Sequence, residues 1–156
     1  MNRRDPLRPP DEPARILLVE DDPGDVLITR ESLAESQVVC DLTVVADGAL
    51  ALDYLHKRGA YTEVSTPHLV LLDLNLPKVS GHEVLAAVKG DPELAPIPVI
   101  VLTTSSADEE VLETYKLHAN AFITKPVDFD RFHDVVRSID HFFLNVAQLP
   151  RRREGE

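Results

Sequence analysis

The sequence contains few of the residues that build several common kinds of functional site. Its 156 residues include one cysteine, Cys40, which excludes an intramolecular disulfide and a cysteine metal cluster and fits a small core residue. No apolar run reaches the roughly 18 residues of a membrane span, and the N-terminus lacks the apolar core of a signal peptide. These absences predict a cytoplasmic protein without a membrane segment.

Positive charge is also scarce in the body of the chain. Between residues 16 and 150, nine Lys and Arg stand against twenty-two Asp and Glu, a net charge of −13. A surface of this kind repels the phosphates of nucleic acids and anionic lipids. We therefore expect no direct binding of nucleic acid or of a membrane surface.

The rest of the composition, 44% hydrophobic and 28% charged, is typical of one globular domain with a well-filled core. Residues 1–14 contain four prolines and mixed charge without periodicity, and residues 151–156 are all polar or glycine. We expect flexible tails at 1–14 and 146–156, with one domain between them at 15–145.

Apolar strand-like runs alternate with helix-period segments through that domain. The five predicted strands are 15–20, 41–46, 68–73, 97–103 and 121–125. The helices that follow them are predicted after Pro23, at 47–58 with Gly59 as a stop, and from Ser80, Ser106 and Asp128. Because parallel neighbours need a long crossover connection, this alternation predicts an α/β fold with a doubly wound five-stranded parallel sheet and five helices.

Asp73 is the most informative single residue, because it ends the apolar run of strand three. In open α/β sheets, ligands bind beyond the carboxyl ends of the strands, so a carboxylate there indicates a functional site. The alternative is that Asp73 only begins a turn before Pro77. The run by itself supports both interpretations.

The ends of the other strands favour the site. Strand one ends in Glu20-Asp21-Asp22, strand four in Thr103 and strand five in Lys125. Two carboxylates about 4 Å apart repel by roughly 4 kcal/mol at an effective dielectric constant of about 20, so the acids need a compensating cation. Oxygen ligands without His or Cys favour Mg²⁺ or Mn²⁺, completed by a phosphoryl group.

Each strand end also has a structural interpretation. The acids after strand one could cap the next helix, Thr103 could begin a polar loop, and Lys125-Pro126 could be a surface turn. The coincidence of these residues at four strand ends of one predicted sheet favours the functional interpretation.

The motifs that carry these residues resemble the receiver domains of two-component response regulators, the CheY-like fold. The matching segments, in order, are 17–22, 72–77 followed by Gly81, Leu102-Thr103 and Thr124-Lys125-Pro126. The resemblance covers residues 15 to 140 and implies the strand order 2-1-3-4-5. It also implies a phosphorylation switch that changes only its own phosphorylation state and is not an enzyme for small molecules.

The resemblance assigns a role to each matching residue. Asp73 would accept a phosphoryl group from a phosphohistidine of a histidine kinase. Asp21, Asp73 and the backbone carbonyl of Asn75 would bind Mg²⁺, and Glu20 would assist through a water molecule. Thr103 and Lys125 would each contact a phosphoryl oxygen.

Three positions carry further expectations or departures from the family pattern. Pro126 would follow a cis peptide bond. Phe122 occupies the position of the aromatic switch residue on strand five, but it lacks a tyrosine hydroxyl and fits a plain core residue equally well. Glu20 replaces the more frequent Asp, which lengthens one acidic arm and leaves metal binding intact.

The output is expected to be a contact with a downstream protein or a phosphotransfer protein. The long segment 57–67 and the extended end 142–150 resemble the single-domain regulators that accompany phytochrome-type histidine kinases. The predicted fifth helix has more apolar surface than one sheet face needs, which favours a homodimer; coverage by the chain's own tail is the alternative. The dimer candidates are Phe132, Val136, Phe142, Phe143 and Val146.

Three other functions share parts of this sequence pattern. A phosphatase of the haloacid dehalogenase class also uses an Asp nucleophile and Mg²⁺, but it needs a second acid two residues later, where this chain has Asn75. A flavodoxin-like cofactor binder needs a phosphate loop after strand one in place of the acids. A scaffold that is never phosphorylated is disfavoured only by the complete acidic set.

Overall fold

The structure is a computed structural model that describes residues 13–35, 39–103, 119 and 121–124. Five strands and three α-helices lie within these residues, together with a short 3-10 helix at Gly59–Tyr61. In chain order the elements are β1 (Ala14–Val19), α1 (Pro23–Ala34), β2 (Cys40–Val45), α2 (Gly48–Leu55), β3 (Leu69–Asp73), α3 (Gly81–Gly90), β4 (Val99–Thr103) and β5 (Ala121–Thr124).

The five strands form one parallel sheet in the order β2-β1-β3-β4-β5. This confirms the predicted fold class and strand order. The strand boundaries agree with the predicted ones to within two residues. The largest shift is at β4, which starts at Val99 and not at residue 97. Pro98 has no N–H to donate to the sheet, and only its carbonyl takes part, accepting a hydrogen bond from Val70 N at 3.0 Å.

Alternate residues of the central strands pack on opposite faces of the sheet. One apolar cluster contains Val70 and Leu72 and lies with side chains of α2 and α3. The other contains Leu69 and Leu71 and lies with Leu33 of α1. Both faces are therefore covered, which explains why β3 reads as a continuous apolar run. Cys40, predicted as a core residue, is half-buried at the edge of the second cluster.

Helices α1 and α3 begin where their sequences predict. The Asp22 carboxylate accepts from Gly24 N at 2.9 Å at the start of α1, and the Ser80 hydroxyl accepts from Glu83 N at 3.2 Å at the start of α3. The predicted end of α2 was wrong. The helix ends at Leu55, because Lys57 already has a left-handed backbone (φ 57°) two residues before the predicted stop at Gly59.

The helices predicted from Ser106 and Asp128, the C-terminal tail and the dimer candidates lie outside the described residues. The N-terminal tail, predicted at 1–14, lies outside them up to residue 12, and its predicted end is wrong because the buried Ala14 already belongs to β1. Among the helices that the structure does describe, none has the length and apolar character needed to cross a membrane.

Candidate acidic site at the carboxyl edge of the sheet

Asp73 is the last residue of β3, a strand whose five residues are all buried. Asp73 is 8% exposed, and its Oδ1 accepts a hydrogen bond from Asn75 N at 3.0 Å. That bond spans two residues, as in an Asx turn. Asp73 therefore ends a buried strand and also begins a turn.

Glu20 and Asp21 directly follow β1, the strand next to β3. Glu20 is buried, and its Oε2 accepts hydrogen bonds from Asp21 N at 3.1 Å and Asp22 N at 3.4 Å. Asp21 is exposed. The third acid of this group, Asp22, caps α1. The capping alternative is therefore correct for Asp22, whereas Glu20 and Asp21 lie with Asp73.

One carboxylate oxygen from each of Glu20, Asp21 and Asp73 lies within 4.8 Å of the other two. At that separation two unit charges repel by roughly 3.5 kcal/mol for an effective dielectric constant of about 20, and less where solvent screens Asp21. Because all three donors are oxygens, they fit a hard divalent cation. The three acids thus provide a donor set that fits a divalent metal, and Asp73 is one of its two buried members.

The β4 and β5 residues of the predicted site approach the same edge. Asp73 pairs with Leu102 in the sheet register, so Thr103 lies one residue further along β4, and Thr103 pairs with Thr124 at the end of β5. Phe122 pairs with Val101, two residues before that end. Lys125 and Pro126 lie outside the described residues.

Lys89 is a partly buried lysine away from the acidic cluster. Burial lowers its pKa, and its Nζ donates to the carbonyls of Ala95 at 3.0 Å and Ile97 at 2.7 Å. These residues precede β4, at the amino edge of the sheet. Lys89 therefore stabilises the connection from α3 to β4 and lies at the opposite end of the sheet from Asp73.

The loop between β3 and α3 makes a contact that the sequence did not reveal. Lys78 Nζ lies 3.5 Å from Asp47 Oδ2, just before α2. Asp47 followed by Gly48 is recognisable as the start of a helix, and its carboxylate does accept from Leu50 N at 2.7 Å. Nothing in the sequence around Lys78 indicates the partner.

A family model described as the response regulator receiver domain matches residues 16–137 of the chain. The chain belongs to this family. Membership confirms the resemblance found in the sequence and decides against the dehalogenase-type phosphatase and the flavodoxin-like binder. A receiver domain is a signalling switch, and its family implies a histidine kinase as partner.

Among curated proteins, this receiver domain is 41% identical to response regulator Rcp1 of Synechocystis over 88% of the chain and 94% of Rcp1. It is 37% identical to the probable methanogenesis regulatory protein FilR2 of Methanothrix harundinacea, over 90% of each chain.

Two solved structures are similar over 88% of the chain and 99% of their own, both with a TM-score of 0.86. One is the phosphorylated cyanobacterial phytochrome response regulator RcpA, at 43% identity. The other is the Mn²⁺-bound form of Rcp1, at 41% identity. These relatives include a phosphorylated receiver and a metal-bound one.

Proposed function

We propose that Asp73 accepts a phosphoryl group from a phosphohistidine of a histidine kinase, and that this switches the protein between two signalling states. The observation that carries the proposal is the position of Asp73, a buried carboxylate at the end of β3 whose oxygen lies within 4.8 Å of oxygens of Glu20 and Asp21. Such a cluster provides both a nucleophile and a place for the cation that phosphoryl transfer needs.

We assign the metal to Mg²⁺, bound by the carboxylates of Asp21 and Asp73 and the backbone carbonyl of Asn75, with Glu20 acting through a water molecule. The Mn²⁺-bound form of Rcp1 supports a divalent cation in this family. When bound, the cation neutralises charge on the phosphoryl oxygens. Glu20 also fixes the start of the following turn through its hydrogen bonds to Asp21 N and Asp22 N.

The Asp73 carboxylate is already an anion at neutral pH, so the transfer needs no separate base. Its oxygen attacks phosphorus, the phosphorus–nitrogen bond of the phosphohistidine breaks, and an acyl phosphate forms on Asp73. Thr103 would donate its hydroxyl to one phosphoryl oxygen, and Lys125 would pair with another. Water can later hydrolyse the acyl phosphate, which resets the switch without the protein acting on a small molecule.

The added phosphate would place nearly two negative charges beside the end of β4 and draw the Thr103 hydroxyl inward. Phe122 on the neighbouring β5 could fill the space that this movement leaves, although its ring cannot provide the hydrogen bond of a tyrosine. Pro126 would hold the turn beside Lys125 through a cis peptide bond. A local change of charge would thereby alter a surface that other proteins recognise.

We infer that the kinase is of the phytochrome type, because RcpA is a phytochrome response regulator that is 43% identical to the chain. The similarity to FilR2, named as a methanogenesis regulator, makes the input signal worth testing directly. Output would pass to a downstream protein or a phosphotransfer protein in the cytoplasm, where ATP-dependent kinases act. A panel of purified kinases would test the pairing, and preferential transfer from a kinase without a phytochrome sensor would contradict it.

Metal-dependent phosphorylation is the first test of the proposal. We expect the protein to gain one phosphoryl group from acetyl phosphate with Mg²⁺, to gain none when a chelator removes the metal, and to recover when Mg²⁺ returns. Intact-mass spectrometry measures the adduct directly. An adduct that forms equally well with the chelator would contradict the metal assignment, and no adduct under any condition would contradict the proposed function.

We further propose a homodimer formed through the candidates Phe132, Val136, Phe142, Phe143 and Val146. Light scattering of the full chain and of a chain ending at Asp140 tests this. We expect the full chain to have twice the monomer mass and the shortened chain to be monomeric. If both chains have the same association state, the C-terminal segment does not form the dimer.

A further inference from the structure

The loop from Leu74 to Ser80 links Asp73 to α3 and contains Asn75. At its near end, Leu74 O accepts hydrogen bonds from Leu76 N at 3.2 Å and Gly81 N at 3.1 Å. Pro77 then fixes its own φ, which stiffens the step from Asn75 to Lys78. Asn75 lies between this hydrogen-bonded end and the far end of the loop at Lys78.

At that far end, Lys78 adopts a left-handed backbone with φ 65°. A lysine in this conformation costs free energy that surrounding contacts must offset. Lys78 Nζ lies 3.5 Å from Asp47 Oδ2; the Lys78 side chain is 70% exposed and that of Asp47 only 9%. The ion pair ties the strained residue to a buried carboxylate that is itself fixed by its hydrogen bond from Leu50 N.

The next residues make a backbone contact at the same place. A Cβ built on Gly48 would lie 1.9 Å from Val79 O and 2.8 Å from Val79 C. Only a glycine lets the first residue of α2 approach the loop backbone this closely. Two independent contacts, one ionic and one steric, therefore join the start of α2 to the loop that follows Asp73.

We propose that Asp47, Gly48, Lys78 and Val79 form a clasp that positions Asn75 for the divalent cation, with Lys78 acting as a positioning residue through Asp47. This inference rests on the proposed function, since it assumes that the Asn75 carbonyl binds the metal. The clasp residues lie at the start of α2 and at the end of the loop, outside the acidic cluster.

A purely electrostatic effect of Lys78 and Asp47 on the metal site would change the metal affinity differently from the loss of a clasp. Removing the Lys78 cation near an acidic site tightens cation binding through space, whereas removing the Asp47 anion weakens it. A clasp instead requires both removals to weaken binding. Each removal breaks the same contact. The double variant should therefore bind the cation at least as tightly as the single variant with the lower affinity.

The test measures Mn²⁺ affinity by titration calorimetry for the full chain and for Lys78→Met, Asp47→Asn and the double variant. Asp47→Asn keeps an oxygen that can accept from Leu50 N, so the cap of α2 is preserved. We expect each single variant to weaken Mn²⁺ binding by about two- to fivefold, as for a partly exposed ion pair. Lys78→Arg keeps the cation and should restore the affinity.

Lys57→Met is the matched control, because Lys57 is an exposed lysine with the same left-handed backbone (φ 57°) and, within the described part of the chain, no ion pair. We expect its Mn²⁺ affinity to be that of the unmodified protein. Thermal unfolding without metal should shift by no more than about 4 °C for any variant, which separates positioning from a general loss of stability.

The outcomes distinguish the two proposals. If the unmodified protein binds no Mn²⁺, or binds it equally well after Asp21→Asn, the proposed metal site is wrong and the clasp falls with it. If the unmodified protein binds Mn²⁺ through Asp21 but Lys78→Met tightens binding or leaves it unchanged, the clasp alone is overturned. Weakening in Lys57→Met equal to that in Lys78→Met would also overturn it.

Discussion

Asp73→Asn is expected to lose phosphoryl uptake from both acetyl phosphate and a histidine kinase. The amide is neutral and has no anionic oxygen to attack phosphorus, and loss of a nucleophile lowers rates on the order of 10⁴-fold or more in other proteins. The amide oxygen can still accept from Asn75 N, as Asp73 Oδ1 does at 3.0 Å. The fold should therefore persist, and circular dichroism checks this.

Asp22→Asn is the matched control for this change. Asp22 is close in sequence to the acidic cluster, but its Oδ1 caps α1 by accepting from Gly24 N at 2.9 Å, a role that Asn also fills. We expect its phosphoryl uptake to stay within a few-fold of the unmodified protein. Full uptake by Asp73→Asn, or loss of uptake by both variants, would contradict the assignment of Asp73.

Gly81→Ala is expected to destabilise the protein, because the first residue of α3 packs directly on the end of β3. A Cβ at this position would lie 2.5 Å from both Asp73 O and Leu74 Cα. These are backbone atoms, so relief requires the loop itself to move. Overpacking of this kind typically costs about 1–3 kcal/mol of unfolding free energy, and urea denaturation measures it. The same movement should slow phosphoryl uptake at Asp73.

Gly90→Ala provides the control at the other end of the same helix. A Cβ on Gly90 would meet no atom within 4 Å, and its φ does not favour glycine. We expect this variant to be as stable as the unmodified protein or up to about 1 kcal/mol more stable. If Gly81→Ala and Gly90→Ala have the same urea midpoint, the close packing of α3 on Asp73 does not require a glycine at position 81.

The acidic cluster could be predicted because it depends on two strong sequence signals. The apolar run of β3 and the alternation of strands and helices fix a parallel sheet, and parallel strands bring their carboxyl ends to one edge. Once β1 and β3 are neighbours, Glu20 and Asp21 must lie near Asp73. The same argument places Thr103 at that edge, since its strand follows β3 in the sheet.

Other details could not be predicted from the sequence pattern. Lys57 already takes a left-handed backbone two residues before Gly59, which is left-handed as well, so α2 ends earlier than the glycine indicates. The pairing of Lys78 with Asp47 joins residues 31 positions apart, and no periodicity carries that information. Sequence adjacency also leaves metal binding and helix capping open for the three acids after β1, and the structure shows that Asp22 is the one that caps α1.

The most direct test of the central claim is to locate the phosphoryl group chemically. Borohydride reduces an acyl phosphate to an alcohol, so a phosphorylated aspartate becomes homoserine, which peptide mass spectrometry can locate. After incubation with acetyl phosphate and Mg²⁺, we expect homoserine at position 73 and at neither Asp21 nor Asp22. Reduction products at Asp21 or Asp22 with an intact Asp73 would contradict the account.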